Sequence, residues 1–205
     1  MYKLPIFTKG VQAFLNLKEL VTRLEKSGCV IENLELMPIT HEQCSKHYQK
    51  MVGGQYYDEL QDLLDSCPSV VLEVSGDLDT ILDLIGRKTD PKSCSKGSLR
   101  YKYGENKGKN AYHRPETFKE VVTDEQNFWG EKGFVAEYRD VQNEQLWQET
   151  HIRAVAILKE YGADCNEFFA IVDKYRKAAW VLCFFNGWEQ SRPFLKINFF
   201  SYLDN

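Results

Sequence analysis

A strongly cationic segment, residues 87–114, sets the tightest limit on what this chain can fold into. It carries nine lysine and arginine side chains and two acidic ones, a net charge of +7, whereas the whole chain of 205 residues carries −4. Glycines at 97, 104 and 108, together with Pro91, predict a loop rather than a helix or a strand. Because a cationic segment on an acidic protein attracts anions, we expect this loop to bind phosphate.

A histidine ends the segment. His113 closes the run Asn110-Ala111-Tyr112-His113, and Pro115 follows two residues later. Proline favours the first turn of a helix, which predicts that His113 lies near a helix N-terminus, where free N–H groups stabilise an anion or a phosphorylated group. A neutral imidazole is plentiful at pH 7 and accepts and releases a phosphoryl group. His113 is therefore the candidate nucleophile.

The remainder of the N-terminal part predicts short strands that alternate with amphipathic helices. Strands are expected at 2–8, 29–38, 68–75 and beside His113, with a turn at 9–12 and helices at 17–28, 40–51, 57–64, 77–86 and 116–128. Thr40 and Gln43 form a capping box at the start of one helix. This order predicts an α+β sandwich of the split βαβ, ferredoxin-like kind.

Residues 140–205 predict a second unit, a folded C-terminal α/β appendage to a first domain at 1–139. Helices are expected up to Tyr161 and around 168–175, and strands at 180–185 and 194–200, after a further strand at 134–138. Because no low-complexity linker separates the appendage from the core, we expect it to pack there. Its function is open, and the binding of a protein partner is one candidate role.

Composition excludes several classes of protein. Hydrophobic residues make up 43% of the chain and charged residues 27%, which is typical of a globular domain. No apolar run approaches the roughly 18 residues that span a bilayer, and the N-terminus lacks the apolar centre of a signal peptide. We expect a cytoplasmic protein that does not enter a membrane, with export as an effector left open.

The order and spacing of several short motifs resemble the nucleoside diphosphate kinase family. The matching pieces are Thr40-His-Glu-Gln, His47-Tyr48, Gln55-Tyr56-Tyr57, Pro68-Ser-Val-Val-Leu-Glu-Val, Leu84-Ile85-Gly86, Thr89-Asp90-Pro91, Gly97-Ser98-Leu99-Arg100 and Asn110-Ala111-Tyr112-His113. The resemblance covers about residues 34–129. It implies that His113 carries a phosphoryl group from a nucleoside triphosphate to a nucleoside diphosphate, with Mg²⁺ as cofactor, and that the protein forms a homo-oligomer unless the appendage covers the surfaces used for assembly.

The resemblance also implies roles for other residues. Arg100 would hold the transferring phosphate, Thr89 an inner phosphate and Asn110 the ribose. Tyr56 matches the aromatic that stacks on the base, Tyr48 the tyrosine beside the histidine, and Asp124 the carboxylate that orients the histidine, one methylene shorter here. His47, in contrast, is expected on a helix surface without a chemical role.

Departures from the family pattern concern charged positions. Phe7 stands in place of a lysine, and we expect Lys9, two residues on along the strand, to compensate. Leu82 stands in place of an arginine, and Arg87 or Lys88 would supply the missing charge.

The residues after the histidine also differ from the family. Pro115 stands where the family has a serine that supports the carboxylate, and Arg114 stands where the family has a glycine. Three functions stay open: a phosphotransferase of the family type, a degenerate nucleotide-binding module that acts through a protein partner, and an enzyme turned to another nucleotide reaction.

Overall fold

A four-stranded antiparallel sheet forms the centre of the part of the chain that the computed structural model describes, residues 3–129 and 144–176. The strands are β1 (Lys3–Thr8), β2 (Val30–Met37), β3 (Ser69–Ser75) and β4 (Tyr112–His113), in the order β2-β3-β1-β4. The helices are α1 (Gly10–Leu15), α2 (Leu17–Lys26), α3 (His41–His47), α4 (Tyr57–Ser66), α5 (Leu78–Ile85), α6 (Leu99–Tyr103), α7 (Phe118–Trp129), α8 (Glu144–Glu160) and α9 (Cys165–Tyr175). Short 3-10 turns lie at Gln49–Met51 and Pro91–Ser93.

Helices cover the sheet because each buries one apolar stripe. In α2 the buried residues are Leu17, Leu20, Val21 and Leu24, the spacing of one helical face. A large apolar cluster joins α1, α2 and α5 to inward side chains of the strands, such as Leu72. A smaller cluster joins Phe7 and Val71 to α3 and α4. The predicted α+β, ferredoxin-like sandwich is confirmed.

Three local predictions are wrong. Residues 9–12 do not form a turn, because α1 already begins at Gly10 and ends before Asn16. The cationic segment is not entirely a loop, because the Ser98 hydroxyl accepts a hydrogen bond from Tyr101 N and Leu99 is buried, which nucleates α6.

The helix after His113 also begins later than expected. Pro115 does not occupy its first turn, because Thr117 Oγ1 accepts a hydrogen bond from Glu120 N at 3.3 Å and α7 starts at Phe118. His113 therefore lies five residues before the helix rather than at its N-terminus. Its chemistry must come from other neighbours.

The helices α8 and α9 pack onto the core, as the missing linker predicted. Phe168 of α9 lies against Phe14 of α1, with ring centroids 4.7 Å apart, and both are buried. Ion pairs connect α9 to the two ends of α2, from Glu167 to Lys18 and from Lys174 to Glu25. The strands predicted at 134–138, 180–185 and 194–200 lie outside the described residues. None of the described helices is long and apolar enough to cross a membrane.

Candidate functional site

Strand pairing fixes the backbone of His113. In the register of β1 and β4, Phe7 lies directly opposite His113 and Thr8 opposite Tyr112. Directly opposed residues of an antiparallel pair project on the same face, so their side chains meet. The Phe7 ring stacks on the imidazole, with centroids 4.4 Å apart and an angle of 17° between the ring planes. The aromatic residue that replaces the family lysine therefore supports the candidate nucleophile.

A tight turn precedes the histidine. Ala111 has a φ of 67°, a conformation that residues with a side chain seldom adopt. Tyr112 N donates to Asn110 O at 2.8 Å across this residue, and Lys9 N donates to Ala111 O at 2.7 Å. Backbone strain of this kind costs on the order of 1–3 kcal/mol and persists only where surrounding contacts enforce it. The turn directs the backbone into β4, which begins at the next residue, Tyr112, and contains His113.

Each ring nitrogen of His113 has a different partner. Nε2 lies 2.7 Å from Asp124 Oδ2, and Nδ1 lies 3.1 Å from the Tyr48 hydroxyl. An ionised carboxylate only accepts hydrogen bonds, so Nε2 carries the proton and donates to Asp124. The Tyr48 hydroxyl then donates to Nδ1, which holds the lone pair. The geometry therefore favours the tautomer that carries its proton on Nε2.

His47 also belongs to the site, and its expected surface position is wrong. Its Nδ1 lies 3.5 Å from Asp124 Oδ1, and its ring meets the His113 ring edge-on at 4.9 Å. Burial and the nearby His113 lower the pKa of His47 from 6.5 to about 4. No local pattern marked this position, because the carboxylate that His47 meets belongs to Asp124 of α7.

Three buried cations surround the histidine: Lys9, Arg100 and Arg114. Lys9 lies beside Tyr48, with Nζ 5.8 Å from the centre of the Tyr48 ring. Burial holds the pKa of Lys9 well below 10.5, and Arg100 reinforces the shift. Burial and Arg114 lower the pKa of Arg100 to about 10, which leaves it charged at neutral pH. This concentration of basic side chains favours an anionic ligand.

These surroundings set the protonation of His113 and Asp124. Burial and the three neighbouring cations hold the pKa of His113 well below 6.5. Burial raises the pKa of Asp124 from 3.8 to about 7, and His47 partly opposes that shift. His113 is therefore neutral at pH 7, while Asp124 titrates near the same pH.

Arg100 holds the wall of the site together. Its Nε and Nη2 donate to Tyr112 O at 3.1 and 2.8 Å, and its Nη1 donates to Lys88 O at 3.0 Å. These contacts join the segment that follows α5 to β4. The residue proposed for phosphate binding thus has a structural function as well.

The other predicted residues occupy the edges of this site. Asn110 is buried, and its Oδ1 has no hydrogen-bond partner among the described atoms. Tyr56 is half-buried at the start of α4 and lies against Gly108, where an added Cβ would come within 2.9 Å of Tyr56 O. Thr89 and Lys88 are exposed. The Arg87 guanidinium is directed toward α5, where it pairs with Asp79 and Asp83 at 2.8 and 2.5 Å.

A resident metal ion does not suit this site. Potential ligand atoms of His47, His113 and Asp124 lie within 4.8 Å of one another. However, the three buried cations described above face the same histidine, and a further positive charge would be repelled. The cluster therefore serves proton placement better than metal binding.

Comparison with known proteins identifies the family of this chain. The profile of the family described as nucleoside diphosphate kinase matches residues 9–133. The chain belongs to the nucleoside diphosphate kinase family. The nucleoside diphosphate kinase of Fervidobacterium nodosum is 30% identical over 128 residues, which cover 62% of this chain and 86% of that protein. One from Staphylococcus epidermidis is 27% identical over 132 residues, 63% of this chain and 87% of that protein.

Solved structures of the family share the fold. The nucleoside diphosphate kinase of Encephalitozoon cuniculi superposes with a TM-score of 0.58 at 19% identity and covers 72% of this chain and 100% of that one. A halophilic nucleoside diphosphate kinase from Halobacterium salinarum, solved in complex with CDP, gives a TM-score of 0.55 at 22% identity, 68% of this chain and 95% of that one. The region matched by the nucleoside diphosphate kinase profile contains the whole site except Phe7, and α8 and α9 lie beyond it.

Proposed function

We propose that this protein is a nucleoside diphosphate kinase that moves the terminal phosphate of a nucleoside triphosphate through a phosphohistidine to a nucleoside diphosphate. The observation that carries this proposal is the hydrogen bond between His113 Nε2 and Asp124, which leaves the Nδ1 lone pair for attack. The three buried cations beside the ring support it further, because a transferring phosphoryl group needs positive charge around it.

In the first half-reaction, the Nδ1 lone pair of His113 attacks the γ-phosphorus. A P–N bond forms as the bond between the γ-phosphorus and the β–γ bridging oxygen breaks, and the nucleoside diphosphate leaves with that electron pair. The Tyr48 hydroxyl, now 3.1 Å from Nδ1, must transfer its hydrogen bond to a phosphoryl oxygen. In the second half-reaction, a terminal β-phosphate oxygen of another nucleoside diphosphate attacks the phosphorus and the electron pair of the P–N bond returns to Nδ1.

Asp124 stabilises the intermediate. Because Nε2 keeps its proton when Nδ1 becomes bonded to phosphorus, the ring acquires positive charge. A carboxylate 2.7 Å from Nε2 offsets that charge and fixes the ring orientation. The stacked Phe7 ring keeps water away from one face of the imidazole.

Mg²⁺ would accompany the nucleotide. Near His113 the described residues offer cations and two carboxylates that are already paired, Asp124 with the histidine and Glu116 with Arg114. The donor set therefore fits an ion carried on phosphate oxygens and water rather than one held by the protein. When bound, Mg²⁺ neutralises charge on the phosphates. Arg100, Asn110, Tyr56 and Thr89 are the residues that we propose for the nucleotide itself.

The test is labelling with γ-³²P-ATP and Mg²⁺. Wild type and His41→Ala, a control at an exposed histidine, are expected to acquire acid-labile, base-stable label that a nucleoside diphosphate removes. His113→Ala is expected to remain unlabelled. Tight nucleotide binding without any label on the wild type would contradict the kinase and support the alternative, a nucleotide-binding module of the same fold.

A further inference from the structure

Two buried guanidinium groups share one backbone oxygen. Gly86 O accepts hydrogen bonds from Arg114 Nε and Nη2 at 3.3 and 3.0 Å and from Arg100 Nη1 at 3.4 Å. Only 2% of Arg114 and 4% of Arg100 is exposed. Burying one charge costs several kcal/mol, and two like charges beside the same carbonyl repel each other as well. Such an arrangement is stabilised when an anion lies between or beside the two groups.

The contacts of Arg114 differ among its three guanidinium nitrogens. Its Nε and Nη2 hold Gly86 O, and Nη2 also donates to Arg87 O at 2.8 Å. Its Nη1 is buried without a hydrogen bond to the described residues. Nη1 forms an ion pair with Glu116, whose Oε1 lies 3.0 Å away without hydrogen-bond geometry, and the Glu116 side chain is half exposed. Because the Glu116 side chain is half exposed and can move away, Nη1 is the nitrogen through which Arg114 can bind another anion.

We propose that Arg114 is a second phosphate-binding arginine of the site, whose Nη1 donates to an oxygen of the polyphosphate chain beside Arg100. The proposed function identifies that anion as a nucleoside tri- or diphosphate, and this inference rests on it. The position suits the role, because Arg114 is bonded to His113 through the backbone and its Cα is therefore within about 4 Å of the Cα of the nucleophile. A planar guanidinium also matches phosphate oxygens in pairs.

Arg114 supplies a positive charge to the site that Arg87 does not supply. Arg87 or Lys88 was expected to replace the missing family arginine, but the Arg87 guanidinium pairs with Asp79 and Asp83 of α5. Arg114 uses the Arg87 carbonyl instead, as a support for its own side chain. Positive charge thus enters the site from the residue after the histidine.

The experiment measures the affinity for inorganic tripolyphosphate by calorimetry, which requires no phosphoryl transfer. Arg114→Met removes the guanidinium and keeps much of the side-chain volume, and we expect about 10- to 100-fold weaker binding, the usual worth of a hydrogen bond to a charged group. Arg23→Met is the matched control, because Arg23 Nη1 also donates to a loop carbonyl, Gly97 O, at 2.6 Å, away from the site. Equal affinities of wild type and Arg114→Met would overturn the proposal.

A second variant keeps the test decisive if Arg114→Met does not fold. Glu116→Gln alters a half-exposed side chain and removes the carboxylate that competes for Nη1. We expect it to tighten tripolyphosphate binding severalfold, and unchanged or weaker binding would count against the assignment. If wild type binds tripolyphosphate through Arg114 but never labels His113, the proposed kinase fails while the phosphate site stands. If His113 is labelled and Arg114→Met binds tripolyphosphate like wild type, the proposed kinase stands and the phosphate site at Arg114 fails.

Discussion

Asp124 Oδ2 lies 2.7 Å from His113 Nε2, and the carboxyl group is almost completely buried. This one contact selects the tautomer of the ring and places a negative charge where phosphorylation creates a positive one. Burial also raises the pKa of Asp124 to about 7, so the contact depends on pH near neutrality.

Phosphorylation of His113 should therefore speed up as pH rises through about 7. Asp124 must be ionised to accept the Nε2 proton, whereas His113 has a pKa well below 6.5 and stays neutral throughout. Asp124→Asn should be about 10- to 100-fold slower, the loss of one charge-assisted hydrogen bond. Single-turnover rates with excess Mg²⁺-ATP at several pH values test this. A titration of ATP itself would appear in both proteins, so the same pH profile in wild type and Asp124→Asn would contradict the role of Asp124.

His47 should make folding stability depend on pH. In the folded protein its pKa is about 4 instead of 6.5, so between these values the unfolded chain binds a proton that the folded chain does not. Stability from this group is complete above pH 6.5 and declines as pH falls toward 4, by at most about 3 kcal/mol. Urea unfolding of wild type and His47→Gln across this range measures the difference. A gap between the two proteins that stays constant with pH would contradict the buried position of His47.

Gly86 should be intolerant of a side chain. Its φ is 125°, and an added Cβ would lie 2.9 Å from Cys94 Sγ and 3.0 Å from Arg100 Cβ. We expect Gly86→Ala to lower the free energy of unfolding by about 1–3 kcal/mol and to weaken triphosphate binding, because Gly86 O holds both guanidinium groups. Gly97→Ala is the control in the same segment, since nothing lies within 4 Å of its added Cβ. Equal losses in the two variants would contradict this reasoning.

The appendage helices should contribute to the stability of the core. Ile157 and Ile152 lie on the same helix, α8, but Ile157 is 8% exposed and Ile152 is 60% exposed. Ile157→Ala should destabilise the protein by about 2–5 kcal/mol, as for other buried aliphatic truncations. Ile152→Ala should change stability by less than about 0.5 kcal/mol. If chemical unfolding gave the same stability for both variants, α8 would not be part of the folded core.

Local patterns predicted the main elements and the central histidine. The alternation of strands and helices, the capping box at Thr40 and the Asn110–His113 run each depend on neighbours in sequence, and the sheet and the backbone path at His113 agree with them. The sequence could also suggest that Lys9 compensates for Phe7, because two residues along a strand return to the same face.

Tertiary contacts determine which charged side chains are buried in the site, and local sequence patterns do not show this. Nine cations lie in residues 87–114, and nothing local distinguishes the buried Arg100 and Arg114 from the exposed Arg87. Whether an arginine turns inward depends on carbonyls such as Gly86 O, which the fold supplies from elsewhere in the chain. His47 was missed for the same reason, because Asp124 approaches it from α7.

The regiochemistry of the phosphohistidine tests the central claim most directly. Protein labelled with ¹⁵N-histidine would be phosphorylated with ATP and its ring nitrogens observed by NMR, with coupling to ³¹P identifying the bonded atom. Because Nε2 donates to Asp124, we predict phosphorus on Nδ1 of His113 and a retained proton on Nε2. Phosphorus on Nε2, or on another histidine, would contradict the account.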